Sequence, residues 1–508
     1  MNEKRLVSCT PAGCLLAILF ATNWAKAQLA PNGSPIATSH YAVDLYQGNV
    51  LASTRVIGMG GAYVAIAEGV EGSFYNPAAP AVRVSWSKNH VDYDLGFGMT
   101  FPGTLRSSDY FNSGADRTNL ATSSSAQFVF MDAEAHLQIG PWGFGSGLAL
   151  QQYGLNRDTV ATSSAQPNQL RAQIYVVLLQ AARATANGQL VVGVGLRPTG
   201  MNVLDLNPSA NQPSTLFSTA GMGYSAGFLW RPTDAAFRVG ASFTSAVKTI
   251  ASSSSAIHTD GSGNRVLVPD SVDQMYLPER VGLPWELNFG VATQLGARPF
   301  NPRWIDPLEL TIATRRQIEW RKLERERLYR ETLAKARSQG KDLVALTALL
   351  DAEEEALTAA DNAELDAAYA RAKLELRERY RKMGRWYILI STSMRVAGPV
   401  EAAVGIESFL QRVVDRSGRR AVVSPHVGVE SEVISGWLKL RAGAYGEPTR
   451  FDNARSAPRL HTTLGFEEKL FNWDVFGLYG NGTSWRVQGA VDMSERYFGF
   501  GGSIGVWN

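Results

Sequence analysis

One pentapeptide in the chain, Gly223-Tyr224-Ser225-Ala226-Gly227, matches the nucleophile motif of lipases. In a lipase the serine stands on a sharp strand-to-helix turn, and an acidic residue and a histidine complete the site. Here the pentapeptide lies within strand-like alternation, and no helical pattern follows it. We therefore predict no catalytic residue at Ser225 and no enzyme.

The residue types that hold metals and cofactors are scattered along the chain. None of the six histidines pairs at a spacing typical of metal ligands: His40, His90, His136, His258, His426 and His461. The run Gly58-Met59-Gly60-Gly61 is not a dinucleotide loop, because no strand-helix unit and no ribose-binding acid accompany it. We predict no metal and no cofactor. We expect polar positions within the strands to line a filled lumen, as at Lys439, Arg441, Arg486 and Asp492.

The first 27 residues have the pattern of a secretory signal peptide. Lys4 and Arg5 give a positive start, residues 15–20 form a short apolar core, and Ala25-Lys26-Ala27 is a small-x-small cleavage site. The apolar core is too short for a membrane anchor, which needs about 20 residues. We expect residues 1–27 to be removed. Both cysteines, Cys9 and Cys14, would leave with them, so no disulfide is expected.

The composition suits a β-rich membrane protein better than a helical enzyme. The 508 residues include 48 Gly and 12 Trp, which fit tightly turning strands and interfacial ring anchors. The 49 basic residues nearly balance the 46 acidic ones, so nothing indicates a nucleic-acid partner.

Several segments alternate between an apolar and a polar face. The alternation is clear in residues 190–197, 386–396, 437–445, 485–493 and 498–506. A soluble sandwich also alternates, but the number of such segments together with the signal peptide favours a membrane barrel. In lipid every backbone polar group needs a partner, so the barrel must be closed. We predict an all-β, antiparallel transmembrane β-barrel of 14–16 strands.

The connections between these segments alternate in length. The short ones are residues 140–141, 186–188, 232–234, 397–399 and 435–436. The long ones are residues 156–168, 207–217, 252–284, 411–420 and 447–458. Outer-membrane barrels have short periplasmic turns and long external loops. The connection at 467–484 departs from this pattern, because it is long where a short one is expected.

Residues 317–384 are dense in Lys, Arg and Glu and have apolar residues at helical spacing. We predict a helical hairpin or three-helix insert, with breaks at Gly340 and Asp361-Asn362, and strand parity places it outside the cell. Two interpretations stay open. It is a partner-binding arm or a cap over the barrel mouth, or it is a solvated insertion without a partner.

The stretch 28–82 is predicted to form a compact hatch, or plug. Its motifs are Val56-Ile57-Gly58-Met59-Gly60-Gly61-Ala62-Tyr63-Val64-Ala65 and Gly72-Ser73-Phe74-Tyr75-Asn76-Pro77-Ala78. The glycines permit close backbone approach, and Asn76-Pro77 fits a helix start. The predicted domain order is a signal peptide (1–27), the hatch (28–82), the first part of the barrel (83–316), the insert (317–384) and the second part of the barrel (385–508).

The Gly-Gly-Ala-Tyr-Val-Ala run followed by Tyr-Asn-Pro-Ala resembles the hatch signature of the FadL family. Members of that family transport long-chain fatty acids and related hydrophobic compounds across the outer membrane. Residues 230–240, 283–287 and 440–448 resemble further strands and loops of these proteins. The resemblance implies a hatch whose movement releases the substrate. The implied gating residues are Gly58, Gly60, Gly61, Phe74, Tyr75, Asn76, Pro77 and Ala78.

The resemblance also implies a kinked third strand that opens a lateral exit into the membrane. Gly143, Gly145 and Gly147 lie in the third predicted strand, and glycine within a strand is typical of a bend. The alternative is that these glycines serve close packing against the hatch.

We therefore expect transport of hydrophobic small molecules, such as long-chain fatty acids, in the outer membrane of a Gram-negative bacterium. The expected partners are the substrate, membrane lipid and a protein bound through the insert. A second hypothesis is a barrel that anchors or shuttles surface proteins, and a third, ranked last, is an outer-membrane hydrolase.

Overall fold

The computed structural model describes most of the chain from residue 29 onward. The described ranges are 29–84, 87–103, 109–114, 128–156, 169–205, 214–253, 257–259, 265–267, 276–453, 456–470 and 484–507. The expected signal peptide and most of the long connections lie outside these ranges.

An antiparallel β-barrel of fourteen strands dominates the described residues, with strands numbered β1 to β21 along the chain. The barrel strands are β2 (Val91–Phe101), β3 (Val129–Ile139), β4 (Trp142–Asn156), β5 (Gln169–Thr185), β6 (Leu190–Asp205), β7 (Ser214–Trp230), β8 (Phe237–Thr244), β13 (Glu286–Gly296), β14 (Tyr387–Ala397), β17 (Val422–Ile434), β18 (Leu438–Glu447), β19 (Arg459–Lys469), β20 (Ser484–Ser494) and β21 (Tyr497–Trp507). Pairing of β2 with β21 closes the ring. The predicted fold is confirmed, at the lower end of the expected strand number.

The outer surface of the barrel is an apolar band. Large apolar side chains alternate outward along each strand, as at Phe97, Leu148 and Leu179, each about half exposed. Tryptophans cluster where the strands begin or end at one rim, as at Trp142, Trp230, Trp386 and Trp437. An apolar band bordered by aromatic rings is the lipid-facing surface of a transmembrane barrel.

No helix among the described residues is long and apolar enough to cross a membrane.

The two ends of the barrel differ. Tight connections join β3 to β4, β5 to β6, β7 to β8 and β17 to β18 at the end we call the short-turn end. The other end, the long-loop end, carries the connections after β2, β4, β6 and β18. Strand β2 begins and β21 finishes at the short-turn end, so both ends of the barrel sequence lie there.

At the long-loop end the wall folds inward and takes up a strand of the hatch. The strand β1 (Ala42–Asp44) inserts in parallel between β12 (Arg280–Leu283) and β15 (Ala403–Gly405). Strand β12 pairs in turn with β9 (Val247–Ser253), and β15 pairs with β16 (Arg416–Ser417). The hatch is thereby fixed to the barrel through backbone hydrogen bonds. A separate small hairpin joins β10 (Ile257–Thr259) and β11 (Arg265–Leu267).

Among the described residues, five α-helices accompany the strands. They are α1 (Thr54–Gly58), α2 (Pro307–Leu310), α3 (Ile312–Ser338), α4 (Leu343–Lys382) and α5 (Ile406–Gln411). The insert thus begins at Pro307 and not at 317, because the Asp306 side chain caps α2 by accepting from the Leu308 amide. Gly340 separates α3 from α4 as expected, with a positive φ of 64°. The break expected at Asp361-Asn362 is absent, because α4 is continuous there.

The insert leaves the barrel at the short-turn end, so its placement by strand parity, on the side of the long loops, was wrong. The error comes from residues 397–399, which were expected to be a short turn. They lie at the long-loop end, and the chain then forms β15, α5 and β16 before it enters β17. None of those elements spans the wall. The sequence-based count included a spanning strand here that does not exist, so it assigned the insert to the wrong end of the barrel.

The insert lies across the mouth of the barrel. It connects β13 to β14, and around the ring β13 is seven strands from β2, so the two face each other. His90, which immediately precedes β2, nevertheless contacts Asp306 (Nδ1 to Oδ2, 2.8 Å) and the Tyr369 hydroxyl (3.5 Å from its amide). From Tyr369 to Lys382 the helix is roughly 20 Å long. Helices α2 and α4 therefore bridge the opening as a cap.

Candidate functional site: the hatch and its contacts with the wall

The hatch, which the structure describes from residue 29 to residue 82, fills the lumen, and glycines of both the hatch and the wall make the contact between them. Gly60 and Gly61 have positive φ values of 58° and 77°, which a residue with a side chain rarely adopts. A Cβ at Gly58 would lie 3.1 Å from the Cα of Gly465 on β19. A Cβ at Gly61 would lie 2.8 Å from Nδ1 of His426. The hatch glycines singled out from the sequence are thus contact points with the wall.

Inward-facing glycines of the wall make the matching surface. At six of them, atoms of the hatch backbone or of the Asn76 side chain occupy the space that a Cβ would need. These six are Gly143, Gly193, Gly227, Gly240, Gly428 and Gly443. Any larger side chain at these positions would push the hatch away from the wall. The hatch therefore fits the lumen at contact distance around much of the ring.

The three glycines of the third strand belong to this surface. Gly143 faces the Pro80 carbonyl, Gly145 faces the Pro80 ring, and Gly147 faces the ring of Phe74. The register between β4 and each neighbouring strand runs through them without a shift. Their described contacts are close packing against the hatch, and the kinked strand stays a prediction.

Asn76 is fully buried and uses both ends of its amide. Its Nδ2 donates to the carbonyl oxygens of Val64 (2.9 Å) and of Phe228 on β7 (3.0 Å). Its Oδ1 accepts from the Ala78 amide at 3.0 Å. One side chain therefore joins two segments of the hatch to the wall. The Asn76-Pro77 pair leads into a short 3-10 turn, Ala79–Ala81, and not into an α-helix.

The neighbours of Asn76 complete the contact. The backbone carbonyl of Tyr75 accepts from the Ser242 hydroxyl of β8 at 2.6 Å. Phe74 packs over Gly147 on the other side of the lumen. The residues from Phe74 to Ala78 thus lie at the hatch-wall boundary, and Gly58, Gly60 and Gly61 contact the wall elsewhere, on β17 to β19. Whether they move stays a prediction.

A buried ionic cluster, absent from the sequence-based predictions of the hatch, holds the helix α1. Arg55 donates from Nε and Nη2 to the two carboxylate oxygens of Glu430 on β17, each at 3.1 Å. Glu430 also accepts from Arg441 Nε (2.6 Å) and from the Tyr387 hydroxyl (2.9 Å). Arg441 in turn pairs with Glu467. We call the contact between Arg55 and Glu430 the clamp.

The lumen is polar, as the sequence predicted. Arg441, Arg486 and Asp492 are all buried and face inward. Arg486 pairs with the hatch carboxylate of Glu71 at 3.0 Å, and Lys439 pairs with Glu467 at 2.6 Å. The pair between Arg486 and Glu71 joins the hatch to β20.

Above the hatch, at the long-loop end, the chain forms an aromatic cluster. Its rings pack with centroid separations of 4.7–6.2 Å, and its members are Tyr110, Phe111, Phe128, Tyr153 and Tyr497. This cluster belongs to the largest apolar core of the described residues. Four of its rings are buried: Tyr110, Phe128, Tyr153 and Tyr497.

An apolar groove crosses the outside of the wall beside the third strand. Small outward residues, Ala133, Ala135 and Ser146, form its floor between larger apolar neighbours. It contains about 470 Å³ of free space. Behind it, on the lumen side, Phe74 of the hatch lies against Gly147. Nearby, the pairing of β5 with β6 is interrupted opposite Pro198, which has no amide hydrogen to donate.

The lipase-like pentapeptide lies within β7, paired on both sides. The Ser225 hydroxyl is buried and has no hydrogen-bond partner among the described residues. Within the described ranges, no group of three or more His, Cys, Asp or Glu side chains is arranged to hold a metal ion.

Comparison with known proteins gives a structural likeness. No family model matches the chain, and no curated protein matches it. The toluene transporter TodX of Pseudomonas putida aligns with 91% of this chain and 99% of its own, at 12% identity and a TM-score of 0.45. The monoaromatic hydrocarbon channel CymD aligns with 91% of this chain and 98% of its own, at 10% identity and a TM-score of 0.44. At these values the likeness carries no conclusion about the function of this chain.

Proposed function

We propose that this protein is an outer-membrane channel through which hydrophobic small molecules pass when the hatch moves. The observation that carries the proposal is a lumen filled by a hatch that is continuous with β2 and otherwise joined to the wall only by non-covalent contacts. These contacts are the pairing of β1, the clamp, the Asn76 amide and the glycine surfaces. A purely structural barrel would not need such a separable plug.

The difference in loop length between the two ends of the barrel supports a direction of passage. We propose that the long-loop end faces the exterior and the short-turn end faces the periplasm, as in other outer-membrane barrels. A compound arriving from outside would meet the aromatic cluster first and the hatch next. Such a compound moves down its own gradient, so no cofactor is required.

The route past the hatch has two candidate ends. A substrate could continue to the short-turn mouth, which the cap covers, or leave sideways through the wall. The apolar groove, the bare backbone at Gly147 and the interrupted pairing at Pro198 support the lateral route. We propose that hydrophobic substrates leave sideways, because the short-turn mouth is lined by charged groups.

A second candidate function is docking of a protein through the insert. Beyond Tyr369, α4 continues to Leu343 for roughly 39 Å, past the rim of the barrel. Val344 and Leu349 of this part are exposed, as are Trp320 and Leu323 of the adjoining α3. A transporter does not need such exposure.

The test of the transport proposal is uptake of labelled toluene and of a labelled long-chain fatty acid by cells that lack their own outer-membrane transporter. Cells that produce this protein should take up at least one compound faster than cells with an empty vector. Asn76→Ala should raise that uptake and admit small polar dyes, because the hatch loses the hydrogen bonds that hold it closed. No uptake of either compound, with folded protein in the outer membrane, would refute the proposal for these two substrate classes.

Deletion of residues 307–383 separates the two candidate functions. A channel lacking the insert should keep its uptake, whereas a docking protein should lose its partner in co-purification.

A further inference from the structure

A small cavity with about 20 Å³ of free space lies at the short-turn end, between the hatch, the wall and the start of the insert. Six basic side chains line it: Arg55, Arg83, Arg231, Arg238, Arg298 and Lys439. Two carboxylates face it, Glu68 and Glu430. We call this space the basic chamber.

The carboxylates around the chamber are shared among the basic groups. Glu68 pairs with Arg238 (2.8 Å) and with Arg55 (3.5 Å), and Glu430 pairs with both Arg55 and Arg441. Although burial raises the pKa of Glu68, Arg238 and then Arg55 hold that pKa below its usual range. Each of these carboxylates therefore serves two guanidinium groups.

The other acids nearby are also engaged. Asp92 pairs with Arg83 at 2.7 Å, Glu467 with Lys439, and Glu432 with Arg298.

Arg231 differs from the other basic groups of the chamber, because no carboxylate pairs with it among the described residues. It is buried, and its Nε and Nη1 donate to the backbone carbonyls of Gly188 (2.8 Å) and Arg83 (3.2 Å). Within the described residues it has no carboxylate at ion-pair distance. Burial, and then the charge of Arg238, lowers the pKa of Arg231. An uncompensated buried cation of this kind is costly unless an anion accompanies it.

Two further donors are left unused at the chamber. Nη1 of Arg55 and Nε of Arg83 are buried and have no hydrogen-bond partner among the described residues. Both belong to side chains more than nine-tenths buried. Guanidinium groups present donors in a planar fork that matches carboxylate and phosphate oxygens.

The segment that leads into the cap borders the chamber. The ring of Trp304, just before α2, lies 4.5 Å from the Arg83 guanidinium, and the ring of Phe300 lies 3.9 Å from that of Arg238. Asp306 holds this segment to His90 on the far rim. Burial of the basic groups strengthens any charge interaction with them.

From these observations we infer that the basic chamber is a binding site for one small oxyanion, a carboxylate or a phosphate group, held by Arg231 with Arg55 and Arg83. The inference rests on the barrel and its cap and does not depend on transport. An anion there would compensate Arg231 and join the hatch to the wall at the short-turn end.

The test is isothermal titration of the purified protein in non-ionic detergent with sodium phosphate and, separately, sodium acetate, at constant ionic strength. We expect saturable binding of at least one anion, with one site per chain. Binding of phosphate alone identifies a phosphate site, and binding of acetate alone identifies a carboxylate site. Absence of saturable binding of both anions to the wild-type protein would overturn the inference.

Variants locate the site. Arg231→Gln should weaken binding about tenfold or more, because a charge-assisted hydrogen bond is lost. Arg316→Gln, which removes the same charge from an exposed position on α3, should bind as wild type does. Val84→Trp fills the chamber without removing a charge and should also abolish binding. If Arg231→Gln does not fold, the binding measured with Val84→Trp tests whether the anion occupies the chamber. Wild-type affinity in Val84→Trp would place the anion elsewhere.

Discussion

Replacement of Arg55 by Met should free the hatch. The substitution removes two hydrogen bonds to Glu430 at 3.1 Å and the weaker pair with Glu68 at 3.5 Å. Breaking a buried ion pair costs about 3–5 kcal/mol. Glu430 keeps its bonds from Arg441 and Tyr387, so the lower value of about 3 kcal/mol applies. That corresponds to a roughly 100-fold rise in the population with a displaced hatch.

The assay is the rate at which a thiol reagent labels Val64→Cys, a hatch position only 1% exposed. Cys9 and Cys14, the only cysteines of the chain, are replaced by Ser. Labelling of the purified protein should accelerate about 100-fold with Arg55→Met and stay unchanged with Arg316→Met on the exposed face of α3. Equal rates for Arg55→Met and the parent would refute the role of the clamp.

Three further predictions concern packing, the insert and the cap. Gly193→Val should prevent formation of the folded barrel, seen as lost heat-modifiable mobility on gels, because its side chain would overlap a hatch carbonyl. The hydrogen bond from Arg325 lowers the pKa of Asp361, so this pair should stabilise α3 against α4 above about pH 4 and lose its effect as the pH falls below that value. Circular dichroism should show that Asp361→Asn removes this acid dependence. His90→Ala should release the cap, seen as faster hydrogen exchange in residues 360–372.

Each of these predictions has its own control. Gly502→Val adds the same side chain at an outward glycine with open space and should fold normally. An unchanged acid transition in Asp361→Asn would show that another group governs the insert. Unchanged hydrogen exchange in His90→Ala would show that the cap is held by other contacts.

The alternation of the strands could be predicted from the sequence because it reflects one local cause. Each strand separates lipid from a polar lumen, so residues 485–493 show their two faces without any knowledge of their neighbours. Arg441 and Asp492 were placed in the lumen for the same reason, and both are buried there.

The positions of the insert and the clamp could not be predicted locally. The segment 400–411 has an apolar pattern that fits a spanning strand, but it folds into β15 and α5 because the hatch strand β1 pairs with it. That pairing joins residues more than 350 positions apart and leaves no local signal. The same holds for the clamp, in which 375 positions separate Arg55 from Glu430. The glycines of the hatch indicated close backbone contact, but the sequence did not show which strands of the wall they contact.

The central claim is that substrate passes only when the hatch moves, and a reversible tether tests it most directly. The hydroxyls of Thr54 on α1 and Ser503 on β21 are 2.5 Å apart, so a Thr54→Cys, Ser503→Cys pair is placed to form a disulfide. Uptake of labelled toluene and of a labelled long-chain fatty acid is measured in cells that produce this variant, before and after mild reduction. We expect the oxidised pair to block uptake and reduction to restore it, while each single variant transports normally. Full uptake with the disulfide intact would contradict a gating hatch.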